Sequence, residues 1–315
     1  MRLAWALLLS CVRPPTATGP QSAPALPVVQ TLKVLPPEGV RLDPSGLARW
    51  QGQWITVSDK VDGVYRLVPE GADLRAEAMA LELPDPTGGT SPAGRVQACG
   101  GAAGRFDLEG VAVCGSSLLL VSEAQNSLLR VDAQGAQQLR LDLDAVSADT
   151  QPALGPRCGW GNAGLEGVAC AGERIWVAKE REPRLIYQVA PDGSVQSLLG
   201  EDIAAQDAPG KAGIRGAFWP SYSDLFAVDG RLYALERHSH SVLRLDPETG
   251  ALEQRVALDF EEAALYDYSE PYGLAEGLFV DEARIWVLLD SGAHPLAETG
   301  EQAALLLAFD RPEGF

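Results

Sequence analysis

Apolar and polar residues alternate along this chain in short runs, and the runs recur. SGLARWQGQWITVSDKVDGVYRL from Ser45, EGVAVCGSSLLLVSEAQNSLLRV from Glu109 and EGVACAGERIWVAKEREPRLIYQ from Glu166 align without a gap. SDLFAVDGRLYALERHSHSVLRL from Ser223 and EGLFVDEARIWVLLDSGAHPLAE from Glu276 join the same alignment. Successive starts lie 64, 57, 57 and 53 residues apart. A period of that size predicts stacked supersecondary units, none of which buries its apolar face alone. Within the second unit EGVAV, SLLLVSE, SLLRVD and QQLRLDL are separated by turn residues, and the third and fourth units repeat the plan. Each unit therefore reads as four short strands. Helical periods of 10–15 residues between the strands are missing, which argues against a doubly wound α/β fold.

Four antiparallel strands repeated radially predict an all-β fold, a β-propeller. The fifth unit runs out after ALLLAFD at Asp310, one strand short, while VVQTLKVL at Val28 to Leu35 precedes the first unit unassigned. The expectation is a five-bladed propeller of four-stranded blades, with the N-terminal strand completing the last blade and hiding its edge. A sixth blade is the alternative, and would have to come from the connectors at 72–105 or 197–220, neither of which carries the repeat.

Two columns of the alignment carry chemistry. Ser45, Glu109, Glu166, Ser223 and Glu276 open the first strand; Asp59, Glu123, Glu180, Arg237 and Asp290 close the second, fourteen residues later in every unit. The start of one antiparallel strand and the end of the next share one end of the sheet. Both columns are thus expected to crowd one mouth of the central channel. Asp59, Glu109, Glu123, Glu166, Glu180, Glu276 and Asp290 form the candidate metal set. Seven carboxylates in a narrow space must be protonated, hydrogen-bonded to backbone N–H groups or neutralised by cations. Oxygen donors without clustered His or Cys point to Ca²⁺ rather than a transition metal. A Glu before Gly at each blade start also fits a plainer role, satisfying backbone donors of the next blade. Lys60, Lys179, Arg181, Arg184 and Arg237 are the basic residues nearby, to pair with the acids or to hold a phosphate. His238 and His240 read as a loop, and Trp54, Trp176, Tyr233 and Trp286 as packing between blades.

The chain has 315 residues, 46% of them hydrophobic, and a net charge of −18. That charge excludes nucleic acid and anionic lipid surfaces as expected partners. Residues 1–26 read as a targeting segment: Met1-Arg2, the apolar LAWALLL, then Leu8-Leu9-Ser10-Cys11 and a Pro-rich tether. The pattern resembles a bacterial lipoprotein signal with lipidation at Cys11; an ordinary cleaved signal peptide is the alternative. Residues 27–315 are expected to form one propeller domain, monomeric, on the periplasmic side of the envelope, as an outer-membrane lipoprotein or secreted into the periplasm. Membrane contact is expected only through the lipid. Four further cysteines suggest disulfides in an exported chain. Each of two pairs brackets the first strand of its own unit, so Cys99–Cys114 and Cys158–Cys170 are expected among three connectivities.

The units quoted above, and most of all Lys179-Glu180-Arg181-Glu182-Pro183-Arg184 with Tyr187, resemble the SdiA-regulated family of exported propellers. They also resemble the neighbouring family described as having esterase-like activity of phytase. The resemblance spans roughly residues 40–310. It implies a propeller fold and, by analogy with calcium-dependent propeller phytases, either a ligand- or partner-binding protein or a phosphoester hydrolase. In the hydrolase, Lys179, Arg181, Arg184 and Arg237 would be the candidates to hold phosphate.

Overall fold

The computed structural model describes residues 24–84, 105–141, 143, 164–181, 184–198, 221–269 and 273–315. Among these residues the fold is all-β apart from short helical pieces such as α1 (Glu262–Leu265), a single turn. Strand β1 (Leu26–Leu35) comes first. Then follow antiparallel meanders of four strands. The first is β2 (Pro44–Trp50), β3 (Gln53–Ser58), β4 (Gly63–Glu70) and β5 (Asp73–Ala78). The second is β6 (Leu108–Cys114), β7 (Ser117–Ser122), β8 (Ser127–Asp132) and β9 (Gly135–Arg140). The third is β10 (Leu165–Ala171), β11 (Arg174–Lys179), β12 (Leu185–Val189) and β13 (Val195–Leu198). The fourth is β14 (Tyr222–Val228), β15 (Arg231–Glu236), β16 (Ser241–Leu245) and β17 (Leu252–Asp259). The last run has only β18 (Ala275–Val280), β19 (Arg284–Leu289) and β20 (Ala304–Asp310) of its own.

Strand β1 completes that last run. It pairs antiparallel with β20, from Val28↔Phe309 to Val34↔Ala304. Short parallel pairings, Leu26↔Leu258 and Val34↔Leu74, clasp it to β17 and β5 on either side. The N-terminal strand thus closes the ring as the sequence predicts, and the edge of β20 is covered. Tight turns join the strands: Gln51 and Gly52, and again Asp229 and Gly230, adopt positive φ (50° and 81°, 54° and 72°), the geometry whose twist suits a two-residue hairpin.

The core lies between meanders rather than within them. Ile55 and Val57 of the first pack on Leu118 and Leu120 of the second. Leu119 and Val121 meet Ile175 and Val177, and Trp176 and Ala178 meet Leu232 and Ala234. Tyr233 and Leu235 meet Ile285 and Val287, and Leu288 and Leu306 close the cycle onto Leu47 and Leu67. Odd and even positions of each second strand serve opposite neighbours, the period-2 rule of a strand buried on both faces. Trp176, Tyr233, Trp54 and Trp286 all take part in this packing, with Trp54 and Trp286 rings 5.2 Å apart.

Along the axis the first strands meet backbone to backbone. A Cβ on Gly46 would lie 2.7 Å from the Val111 nitrogen, one on Gly110 2.5 Å from the Glu166 oxygen, and one on Gly167 2.6 Å from the Asp224 Cα. A Cβ on Gly277 would come within 2.8 Å of the Leu47 Cβ, which completes the circle. The fourth unit has Asp224 in this glycine column. Its buried carboxylate accepts from the N–H groups of Leu278 (2.7 Å), Leu225 (2.8 Å) and Leu47 (3.2 Å). Two of those donors belong to other meanders.

The cysteine pairing differs from expectation. Cys114 is joined to Cys170, with Cα atoms 5.5 Å apart, which corrects the expected Cys99–Cys114 and Cys158–Cys170 pairs. The reason is geometric: β6 and β10 pack side by side, which brings Cys114 at the end of one first strand against Cys170 near the end of the next. Cys99, Cys158 and Cys11 lie outside the described residues.

Replacing Asp224 by Ala removes the acceptor for Leu47 and Leu278, and each unpaired buried N–H costs about 1–3 kcal/mol. Denaturant unfolding is expected to show Asp224→Ala destabilised by about 2–4 kcal/mol, with Asp224→Asn, which keeps one carbonyl oxygen, losing less. Equal stability of Asp224→Ala and the parent chain would remove this carboxylate from the account of ring closure.

Candidate functional site

A β-bulge recurs at one place in every unit. Pairing shifts by one residue between Leu108 and Gly110, Leu165 and Val168, Tyr222 and Asp224, and Ala275 and Gly277, and between Ser45 and Ala48 in the first unit. A bulge re-aims the side chain at its centre, and in the second to fifth units the first-column residue lies within the shifted stretch, whereas Ser45 still pairs with Val57 and the shift falls on Gly46 and Leu47. Directly beyond it, the second-column N–H donates to the carbonyl two positions before the first column. The bonds are Asp59 to Asp43 (3.3 Å), Glu123 to Asp107 (3.0 Å), Glu180 to Gly164 (2.8 Å), Arg237 to Ser221 (3.2 Å) and Asp290 to Leu274 (2.8 Å). Both columns therefore meet at one end of every sheet.

The site is asymmetric. Arg237, from the unit that lacks acids in register, reaches Glu276 (2.9 Å), Glu166 (3.3 Å) and Glu180 (3.5 Å). On the other side, oxygens of Asp107, Glu109 and Glu123 lie within 4.8 Å of one another. The Ser45 hydroxyl donates to Glu109 (3.1 Å), and the Gly164 N–H to Glu123 (2.8 Å). Asp59 is paired with Lys60, and Asp290 accepts from the Gly292 N–H at 2.9 Å. Asp107 was not among the sequence candidates. It lies two residues ahead of the aligned segment, and extending the alignment to Asp43, Asp107, Gly164, Ser221 and Leu274 was the signal that could have found it.

The basic candidates divide by position. Arg237 and Arg181 stand at the mouth, Arg181 against Glu180. Lys179 is fully buried and donates to the Arg181 carbonyl. Arg184 is buried against Glu236, which also meets Arg255 at 3.0 Å. The histidines sit apart: His238 Nδ1 is 2.7 Å from the Ser221 hydroxyl, His240 Nε2 is 2.6 Å from Glu262, and His294 Nδ1 is 3.0 Å from the Asp267 carbonyl.

Burial governs the titration. It pushes Glu123 up to about 7, against the Gly164 N–H, and Asp290 up to about 7. Glu276 rises to about 8, burial outweighing the attraction of Arg237. Burial, then neighbouring acids, holds Glu109 and Glu166 well above the usual carboxylate range. Asp59, Asp107 and Glu180 are raised, also chiefly by burial. For Arg237 burial works to lower the pKa, but Glu276, Glu166 and Glu180 together raise it.

These residues fit a hard cation. The donors are all oxygens, and among the described residues Asp59 Oδ1, Glu180 Oε2 and Glu276 Oε2 are buried with no hydrogen-bond partner. The Glu180 side chain is only 1% exposed. A buried carboxylate oxygen left without a partner is costly, and a bound cation would satisfy it.

Residues 43–244 match the family described as phytase-like, with esterase-like activity of phytase. No curated protein matches the chain in sequence. Among solved structures, the chain is similar to the glutaminyl cyclase of Myxococcus xanthus, at 14% identity and a TM-score of 0.52, over 92% of this chain and 100% of that one. The PQQ-bound aldose sugar dehydrogenase of Streptomyces coelicolor is 14% identical with a TM-score of 0.46, over 90% and 97% of the two chains. At these identities the likeness to the cyclase speaks for the fold alone, a propeller-type architecture.

The raised carboxylates bind protons more tightly folded than unfolded. Their stabilisation is complete below the ordinary values of 3.8 and 4.5 and is lost as pH climbs to about 7 for Asp290 and Glu123 and about 8 for Glu276. In chelator, the free energy of unfolding is expected to be lower at about pH 8.5 than at about pH 5.5. Calcium should reverse the trend, because the ligands must lose protons to bind it. Metal-free stability that holds level or rises across this window would refute the assignment of buried, protonated acids.

Proposed function

Given that the chain belongs to the phytase-like family, esterase-like activity of phytase, we propose that it is a five-bladed β-propeller that binds Ca²⁺ at its acidic mouth and holds a ligand or partner there. The five-blade reading is supported by the first strands, where β2 packs on β6, β6 on β10, β10 on β14, β14 on β18 and β18 on β2. The observation that carries the binding reading is the carboxylate trio Asp107, Glu109 and Glu123, within 4.8 Å of one another at the mouth. Glu180 and Asp59 flank it. When bound, the cation would neutralise this trio and polarise an anionic ligand.

A second reading is phosphoester hydrolysis, favoured by the family description. In it, Asp107, Glu109 and Glu123 hold the cation, while Arg237 and Arg181 orient the phosphate at the rim. Lys179 and Arg184 support them from within.

The test is unfolding with calcium and with excess chelator. An ion that binds only the folded state at a hundred times its dissociation constant stabilises by about 2.7 kcal/mol. The parent chain is expected to gain about that much at saturating calcium, and Asp107→Asn with Glu123→Gln to gain nothing. No gain in the parent at millimolar calcium sinks the reading. Calcium-dependent turnover of a phosphate monoester, lost in the same variant, selects hydrolysis; binding without turnover selects the ligand-binding protein. We further propose export to the periplasmic side of the envelope with lipidation at Cys11. Cys11→Ser is then expected to move the protein from the membrane to the soluble fraction on ultracentrifugation, and an unchanged distribution rejects the anchor.

A further inference from the structure

The fourth unit breaks both columns at once. Ser223 stands where units two, three and five have Glu, and Arg237 stands where every other unit has an acid. The break is compensated in space. The Arg237 guanidinium, 13% exposed, receives one oxygen from Glu276 in the unit ahead and one each from Glu166 and Glu180 in the unit behind, at 2.9–3.5 Å. Carboxylate oxygens converging from separate elements on one positive centre are the arrangement that a bound metal ion imposes. Room for the side chain is built in: a Cβ on Gly273 would lie 2.6 Å from the Arg237 Cγ. The fit is also incomplete. Among the described residues the second oxygens of Glu180 and Glu276 are buried without a hydrogen-bond partner, as is Arg237 Nε. A flat guanidinium meets these carboxylates from one side, whereas a compact ion takes both oxygens of a carboxylate.

We propose that Arg237 is a tethered cation standing where a second metal ion would otherwise bind. The mouth is thereby divided into a half that carries its own built-in cation and a half, at Asp107, Glu109 and Glu123, left for an exchangeable ion. Only the second half rests on the calcium reading above. The first half is a statement about Glu166, Glu180 and Glu276 alone. Arg237 also sets the polarity of the mouth, because an anionic ligand bridging the exchangeable ion would find its second positive contact on this side.

The experiment compares the whole chain with Arg237→Met, an unbranched apolar replacement. In chelator the variant takes the shared guanidinium away from Glu166, Glu180 and Glu276, leaving Glu180 with Arg181 alone, and its melting temperature is expected to fall by on the order of 10 °C. Calcium should restore most of that loss, and titration calorimetry should count two calcium ions on the variant against one on the parent. An unchanged melting temperature in chelator, or a loss that calcium does not repair, overturns the proposal. So does a stoichiometry equal to the parent's. If Arg237→Met is unfolded in chelator but folded in calcium, the proposal stands; unfolded in both, it falls. Adding Glu180→Gln and Glu276→Gln to Arg237→Met removes the charges with their counter-ion. That variant is expected to fold in chelator and to bind no more calcium than the parent, and an extra ion on it would also overturn the proposal. The parent binding none while Arg237→Met binds one would sink the calcium reading and leave this inference standing. One ion on each would do the reverse.

Discussion

Everything at the mouth depends on how closely the first strands approach the axis. Gly46, Gly110, Gly167 and Gly277 leave no room for a Cβ, since each would collide with backbone or Cβ atoms of the next strand in the cycle. Strands packed that tightly cannot carry side chains along the axis, so the chemistry is displaced to the bulge just before each glycine. The bulge recurs in every unit because the constraint does, and it turns Glu109, Glu166 and Glu276 toward one another. Asp224 is the exception in this column: its side-chain oxygens accept from the backbone N–H groups of Leu47 and Leu278 on the neighbouring strands.

Confinement of this kind makes charge the next problem, and the chain meets it in more than one way. Asp224, Glu123 and Asp290 accept backbone N–H groups, which stabilise a carboxylate without adding a cation. Asp59, Glu166, Glu180 and Glu276 face basic side chains. The oxygens of Asp107, Glu109 and Glu123 converge on one another, and Glu109 is raised first by burial and then by Asp59, Glu123, Asp107 and Glu276. Among the described residues the trio makes no ion pair with a basic side chain, so a cation from solution would bring it its first direct positive partner.

How much of this was legible in the sequence follows from what a repeat can and cannot encode. A gapless alignment fixes register, so both columns, their common end of the sheet and the closing role of Val28 to Leu35 were readable from spacing. Relations between units were not. Cys114 and Cys170 lie near the ends of adjacent first strands, and reading each unit alone paired Cys114 and Cys170 within their own units instead of with each other. Lys179 precedes its second-column residue by one position, and alternation turns it into the interior instead of the mouth. Glu236 is placed in the same way and is held there by Arg184 and Arg255. Asp107 escaped because the alignment was cut at Glu109, although its carbonyl belongs to a backbone bond that every unit repeats.

The likeness to a glutaminyl cyclase at 14% identity speaks for architecture and leaves chemistry open. Chemistry has to come from departures from the repeat. A ring of five identical units would present a uniform negative well, able to concentrate cations but unable to orient a ligand. Ser223 and Arg237 in the fourth unit break that uniformity, with a guanidinium set among three acids on one side and a carboxylate trio on the other. The symmetric units supply the frame and the field. The unit that breaks the symmetry supplies direction.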